Sequence, residues 1–344
     1  MLRNPAHATV APPPIPPVAG ADPRPRFSVM IPTCQPDEML CSTLESVLRQ
    51  AGSRDDMQIA IVDDASTPGL VTDLVRSVDR FGRIEVIEHD RRLGLSGNWN
   101  RAIGLARGEL VHLLHQDDYV ERGFYARFHR GFSREPDIGM AFCRSRIVDA
   151  GGRHLKTSSR QRWLPGVIAN WLPTIGARQR IQTPAAVVPR RTYETLGGYR
   201  PDLCHALDWE MWVRIAARYR VWYEPRTLAV YRRHVANETT RLIAMGAVWP
   251  DMARAIRINA ASLPEPIRDQ ILSASVRWHA ASALRTAKRQ LSAGATGAAA
   301  DTLRAIPDLL DLVGGSAAEG FAAQRLSILQ ARLDDGPLTV RRAA

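Results

Sequence analysis

The sequence predicts an α/β fold, a mostly parallel sheet flanked by helices, followed by an all-helical C-terminal appendage. Three observations predict it. Short apolar runs alternate with amphipathic stretches between Phe27 and Leu114, the βαβα pattern of a doubly wound sheet. Polar or acidic residues close three of the apolar runs: Thr33, Asp63-Asp64 and Asp117-Asp118. From about Asn237 onward the chain is rich in Ala and Arg, with breaks at Pro264/Pro266, Gly294/Gly297 and Gly314/Gly315.

The elements follow in order. Residues 1–25 are rich in Pro and Ala, as in Ala11-Pro12-Pro13-Pro14-Ile15-Pro16-Pro17. Such a composition reads as a disordered or polyproline-like tail. Phe27 to Pro32 is a strand and Met39 to Arg49 an amphipathic helix. Gln58 to Val62 is the second strand; the next helix starts after Thr67-Pro68, where Pro favours a helix start, and runs to about Arg80. Arg83 to Glu88 is the third strand, Asn98 to Ala106 a helix stopped by Gly108, and Leu110 to Leu114 a buried fourth strand. A helix is expected over about Arg122 to Ser133, then a strand from Ile138 to Val148 ended by Asp149-Ala150-Gly151-Gly152. Residues 153–180 show no clear period but include Trp163 and Trp171. Pro184 to Val188 reads as a short strand, Leu207 to Ala217 as a helix, and Val221 to Tyr231 as extended. The expected division is a tail (1–25), a sheet domain (26–240) and a helical region (241–344).

The chain has 344 residues and a formal charge of +11, with a pI near 10.2. That balance favours anionic partners such as nucleotides or an anionic membrane surface. The arginines are scattered rather than gathered into one run, so a basic surface composition is the simpler account. No nucleic-acid recognition motif is visible, and nucleic acid is not an expected partner. Cys34, Cys41, Cys143 and Cys204 form no C-x-x-C pair, as in a reduced protein. No apolar run reaches membrane-span length, and the first residues lack a signal-peptide core. The expected location is cytoplasmic, at most peripheral to the inner face of the membrane.

The chemistry gathers at strand ends. Asp117 and Asp118 stand side by side where a buried strand stops. Two carboxylates there make a site for a hard divalent cation, which in turn holds a phosphate-bearing ligand. Adjacent side chains on extended backbone point opposite ways, so the two do not meet the ion identically. Asp64 can accept hydrogen bonds from a base or ribose, or serve an Asx turn into Ser66-Thr67-Pro68; Asp63 reads as a structural cap. Asp208 begins a helix beside Trp209 and Trp212. Apolar neighbours raise a carboxylate pKa, which suits a general base; an N-cap fits the same position. Glu210 is the second candidate. His234 follows Arg232-Arg233. It can ligate a metal as a neutral imidazole or touch a diphosphate as an imidazolium.

Taken together, the motifs resemble family 2 glycosyltransferases with the GT-A fold. They are Phe27-Ser28-Val29-Met30-Ile31-Pro32-Thr33, Ile61-Val62-Asp63-Asp64-Ala65-Ser66, Leu93 to Ala102 (with Asn98 and Asn100), His115-Gln116-Asp117-Asp118, Gly197-Gly198-Tyr199 followed by Leu207 to Arg214, and Tyr231-Arg232-Arg233-His234. Their order covers about residues 26–240. The resemblance implies an inverting, metal-dependent transfer of a sugar from a nucleotide-diphosphate donor, most simply UDP-linked. The acceptor would be a hydroxyl of a glycan or lipid-linked glycan, in polysaccharide biosynthesis. It places Thr33, Gln35, Asp64, Asn98, Asn100, Gln116 and Asp117 at the donor, with Asp117 facing the ribose or a metal-bound water. It places Asp118 and His234 on Mg²⁺ or Mn²⁺, and makes Asp208 the base.

One departure is plain. The family has an aromatic residue and Asn after the Thr, whereas this chain reads Thr33-Cys34-Gln35-Pro36. Gln35 hydrogen-bonds but cannot stack on a nucleobase. Trp99 offers an aromatic face instead, or belongs to the helix core. A nucleotidyltransferase would need a Gly- and Lys/Arg-rich phosphate loop after the first strand, which Pro32-Thr33-Cys34-Gln35-Pro36 is not. A non-catalytic sugar-nucleotide-binding or scaffolding protein would be expected to lack Asp118 or Asp208, and both are present. Acceptor choice is expected in residues 153–183. The basic stretches Arg277-Trp278 and Arg285 to Arg289 read either as a peripheral membrane contact on anionic lipid or as a packing appendage.

Overall fold

The computed structural model describes residues 10–20 and 23–313. Its sheet begins with β1 (Phe27–Thr33), β2 (Met57–Asp63), β3 (Glu85–Glu88) and β4 (Leu110–Leu113), joined through α1 (Met39–Leu48), α2 (Leu70–Val78) and α3 (Gly94–Leu105). Every residue of β1 and β2 is buried, as befits strands covered on both faces by crossover helices. β1 pairs in parallel with β2 and β4, and β2 with β3, so the carboxyl ends of these strands share one edge.

The chain then adds β5 (Tyr119–Val120), α4 (Phe124–Arg134), β6 (Ile138–Asp149), β7 (His154–Thr157), β8 (Gly166–Val167), α5 (Trp171–Ala177), β9 (Ala186–Pro189), α6 (Arg190–Leu196), α7 (Leu207–Ala216) and β10 (Arg220–Arg233). The strand order is β3-β2-β1-β4-β9-β6-β10-β5. β9 lies antiparallel to both β4 and β6, while β10 runs parallel to β6. The stretch 153–180, which shows no period in sequence, holds β7, β8 and α5. β7 and β8 take their partners from β6 and β10. Elements this short draw their stability from neighbours rather than from their own pattern.

The described chain divides into two compact units. The first comprises residues up to Trp171, Arg180–Asp202 and Arg214–His234; the second comprises Leu172–Gln179, Leu203–Val213 and the chain from Val235. The helical unit therefore takes in two segments that precede residue 240. It contains α8 (Glu238–Ala244), α9 (Val248–Ser262), α10 (Glu265–Ser292) and α11 (Thr296–Leu310). Pro266 lies in the first turn of α10, where a missing N–H costs nothing. Gly294, at φ +74°, supplies the left-handed turn between α10 and α11. Arg277, Arg285, Lys288 and Arg289 are exposed and Trp278 is half-buried. Among the described residues no helix is long and apolar enough to cross a membrane. The break expected at Gly314/Gly315 lies outside the described residues.

Part of the Pro-rich tail is a packed strap rather than the expected disordered chain. Ile15 is buried. Gly198 N donates to Pro13 O at 2.8 Å and the Arg190 guanidinium to Pro16 O at 3.0 Å. An extended proline run has unpaired carbonyls, and the sheet unit supplies their donors. Gly108 has a packing role beyond stopping α3: a Cβ there would lie 2.5 Å from Ser28 N on β1.

His112 on β4 is fully buried. Its Nε2 lies 3.0 Å from Pro184 O and its Nδ1 3.1 Å from the Tyr125 hydroxyl. A carbonyl only accepts, so Nε2 carries the proton and Nδ1 accepts from Tyr125. Burial pushes the pKa down to about 3, against the Pro184 carbonyl and with help from His115. The unfolded imidazole takes its proton near pH 6.5. The stabilisation is therefore present above about pH 6.5 and is lost as the pH falls toward 3. Urea midpoints should drop on acidification, and His112→Gln should flatten that dependence between roughly pH 6.5 and 5. Equal slopes in wild type and variant would remove His112 from the acid response.

Candidate active site

The residues singled out at the carboxyl edge of β1, β2 and β4 lie in the sheet unit, and β10 delivers His234 to the same edge. The acidic turn is fixed from below. The Thr43 hydroxyl on α1 donates to Asp118 O at 2.6 Å, and Arg232 N donates to Asp118 Oδ1 at 2.9 Å. The Arg232 guanidinium reaches Asp117 O at 3.1 Å and lies 4.8 Å above the Tyr119 ring. Asp118 is fully buried, whereas Asp117 and His234 are partly open, with side-chain exposures of 18% and 12%.

Gln116-Asp117 form a turn rather than the expected extended backbone, and the two carboxylates take different partners. Asp117 Oδ2 meets His234 Nε2 at 2.8 Å, while Asp118 Oδ2 faces His115 Nδ1 at 3.4 Å. Burial resists ionisation of Asp117, but the His234 hydrogen bond and the nearby imidazoles hold its pKa below the usual carboxylate range. The same bond raises His234. Asp118 is pushed up to about 6, by burial first and then by the Asp117 charge, against His115 and the Arg232 amide.

His115, Asp117 and Asp118 each offer a ligand atom, and these atoms lie within 4.8 Å of one another. Asp118 Oδ2 is buried, with the His115 imidazole at 3.4 Å beside it. Carboxylates plus an imidazole at this spacing fit a hard or borderline divalent cation such as Mg²⁺ or Mn²⁺. His115 is the residue that sequence reasoning missed. It joins the cluster through the turn that Asp118 N closes on His115 O at 3.3 Å, a local fold the linear pattern did not show.

Several expected donor residues also hold the backbone around them. The Thr33 hydroxyl donates to Asp63 Oδ1 at 3.0 Å, and Asp63 accepts from Ser66 N and Oγ, as a cap does. Asp64 is buried; it accepts from Leu93 N at 2.6 Å and Gly94 N at 3.0 Å. This long-range cap explains why α3 starts at Gly94 rather than at Asn98, despite the glycines in its first turns. Asn98 is buried and bridges Val62 O (3.0 Å) and Thr33 O (3.3 Å). Asn100 exchanges two hydrogen bonds with the Tyr199 backbone, at 2.7 and 2.8 Å. Gln116 clamps Cys34 through its N–H (2.8 Å) and its carbonyl (3.3 Å). Gln35 is exposed, and its side chain pairs with Thr67 at 3.1 Å.

The turns after β1 and β2 each carry a non-glycine residue in the left-handed region, Gln35 at φ 49° and Ala65 at φ 53°. Such backbone persists where the surroundings enforce it, and it concentrates at ligand sites. Trp99 is buried between the rings of His115 and Tyr199, each with its centroid 4.9 Å away. It belongs to the core and backs the His115 imidazole.

Asp208 lies in the helical unit, on the first turn of α7. It is half-buried and Glu210 is buried. Asp208 Oδ1 accepts from Trp209 N at 2.6 Å. Trp209 Nε1 donates to Ile175 O at 2.6 Å, and its ring packs on His279 with centroids 5.0 Å apart.

A mostly parallel sheet of this order, with helices on both faces, is of the GT-A class. The family model described as glycosyl transferase family 2 matches residues 28–192. The protein MT1568 of Mycobacterium tuberculosis is 30% identical over 235 residues, covering 64% of this chain and 71% of its own. The chain belongs to glycosyl transferase family 2. The poly(ribitol-phosphate) beta-glucosyltransferase of Bacillus spizizenii is 29% identical over 111 residues, covering 32% of this chain and 17% of that protein. Two solved structures share the fold. S. aureus TarS 1-349 in complex with UDP-GlcNAc has a TM-score of 0.63 at 16% identity, covering 90% of this chain and 88% of that one. The mannosyltransferase PcManGT from Pyrobaculum calidifontis, in complex with GDP-Man and Mn²⁺, has a TM-score of 0.56 at 21% identity, covering 94% and 87%.

Proposed function

We propose that this glycosyltransferase is inverting and metal-dependent, and moves a sugar from a UDP-linked donor to a hydroxyl of a glycan or lipid-linked glycan. The observation that carries the reading is the His115–Asp117–Asp118 cluster, whose ligand atoms lie within 4.8 Å of one another. His115, Asp117 and Asp118 would hold Mg²⁺ or Mn²⁺, which when bound neutralises charge developing on the departing diphosphate. His234 orients Asp117 and adds positive charge beside the phosphates. The part-open side chains Gln35, Gln116 and Asp117 contact the donor directly. Thr33, Asn98 and Asn100 hold the turns that shape its pocket, and Asp64 fixes the start of α3 behind it. Asp208 takes the proton from the acceptor hydroxyl as that oxygen attacks the anomeric carbon. The half-burial of Asp208 beside Trp209 suits that task.

Support for a UDP donor is the resemblance together with the UDP-GlcNAc in the TarS complex; GDP-Man in the PcManGT complex makes guanosine donors the comparison arm. A lipid-linked acceptor would bring anionic lipid near the exposed Arg277, Arg285 and Lys288. The test is a screen of purified protein against UDP-, GDP- and dTDP-sugars with Mn²⁺, reading nucleoside diphosphate release. Turnover of a UDP-sugar with loss on chelation is expected. Release without any metal requirement would overturn the metal-dependent mechanism, and release from GDP-sugars alone would overturn the UDP assignment.

A further inference from the structure

Asp251 stands in the first turn of α9, 6% exposed. Its carboxylate accepts three successive backbone N–H groups that lead into α7: Cys204 N at 3.1 Å on Oδ1, and His205 N and Ala206 N at 2.8 Å each on Oδ2. Ala206 O then accepts from Glu210 N at 2.9 Å and opens the helix. The donors of the turn before α7 are thus satisfied from 45 to 47 residues away in sequence. All these groups belong to the helical unit.

Two further contacts lock the same turn within that unit, Trp209 Nε1 on Ile175 O and the Trp209 ring on His279 of α10. Charge-assisted bonds from one carboxylate to consecutive amides fix backbone direction more tightly than a single cap does. Asp208 follows Ala206 by two residues, so the backbone that carries it is held relative to Asp251.

We infer that Asp251 is a positioning residue for transfer: through the amides of Cys204, His205 and Ala206 it sets the backbone from which Asp208 projects, which makes the C-terminal helices a mount for the general base. The inference rests on the reading of Asp208 as that base. General-base catalysis needs the acceptor proton within hydrogen-bond reach, and a misplacement of about 1 Å costs on the order of 100-fold in rate.

The test compares Asp251→Ala, Asp251→Asn and Asp208→Asn in the full chain. Thr302→Val, which breaks the Thr302–Gln290 hydrogen bond elsewhere in the unit, controls for general loosening. Amide hydrogen exchange needs no substrate. Exchange at Cys204 to Ala206 should quicken about tenfold or more in Asp251→Ala and not in Thr302→Val. With the UDP-sugar that gives turnover, kcat should fall about 10- to 100-fold while UDP affinity holds. Asp251→Asn, which keeps one oxygen for His205 and Ala206, should fall between wild type and Ala. Unchanged exchange at these amides, or quickened exchange with wild-type kcat, overturns the inference. Wild-type transfer in Asp208→Asn instead removes the base reading on which it rests.

Discussion

Asp208→Asn is expected to remove sugar transfer while leaving nucleotide binding intact. Asn matches Asp in size, and its carbonyl can still accept from Trp209 N, as Asp208 Oδ1 does at 2.6 Å. It cannot take a proton at neutral pH. Loss of a general base typically lowers the rate by about 10² to 10⁴. Asp208 is the second residue of α7, where its charge can support the helix start or take a proton, and the structure separates those consequences. The amides entering α7 are held by Asp251, so the helix start does not depend on Asp208 alone. A cap role predicts a stability loss of about 1 kcal/mol with the rate unchanged; a base role predicts the reverse. Thermal melts and kcat from diphosphate release, measured on the same preparation, distinguish them. A kcat near wild type with a lowered midpoint would make Asp208 a cap.

The acid and amide residues of the site were easy to find in sequence and harder to assign. Asp63 and Asp64 are adjacent carboxylates at a strand end, yet Asp63 closes the local turn through Ser66 while Asp64 reaches across to Leu93 and Gly94. No local pattern distinguishes those two uses. Asn98 and Asn100 present the same ambiguity, because an amide that bridges carbonyls is the same amide that would grip a ribose. Their backbone partners, Val62 and Tyr199, come from other elements.

β1, β2 and β4 were legible because each is a buried, mostly apolar run. β7 and β8 were not legible, being short and defined by their pairing with β6 and β10. The start of α3 was missed for a related reason: a distant carboxylate holds a helix turn whose own residues, Gly94 and Gly97, disfavour it. Asp251 had no sequence signal at all, since its three partners lie at least 45 residues away. Long-range polar contacts carry both the frame of the site and the hold on α7, and they leave little trace in a linear pattern.

Asp117→Asn and Asp118→Asn are each expected to abolish the Mn²⁺ enhancement of UDP binding. Alanine is the wrong probe at 118. The carboxylate is fully buried and accepts from Arg232 N at 2.9 Å, so truncation would leave that amide without its partner and disturb the end of β10. Asn keeps the acceptor and removes the charge. At Asp117, Asn keeps an oxygen for the His234 contact, seen at 2.8 Å, and again removes only charge. A hard cation binds anionic oxygen far better than an amide, so either change should weaken metal-dependent UDP affinity by at least about tenfold, or about 1.4 kcal/mol. Metal-free UDP affinity should change little or rise slightly, because a carboxylate near the diphosphate repels it. Calorimetric titration of UDP with and without Mn²⁺ measures both quantities in one experiment. Full enhancement retained at Asp118→Asn but lost at Asp117→Asn would leave Asp117 as the ligand and make Asp118 a support for the acidic turn. Full enhancement in both variants would place the cation outside this cluster.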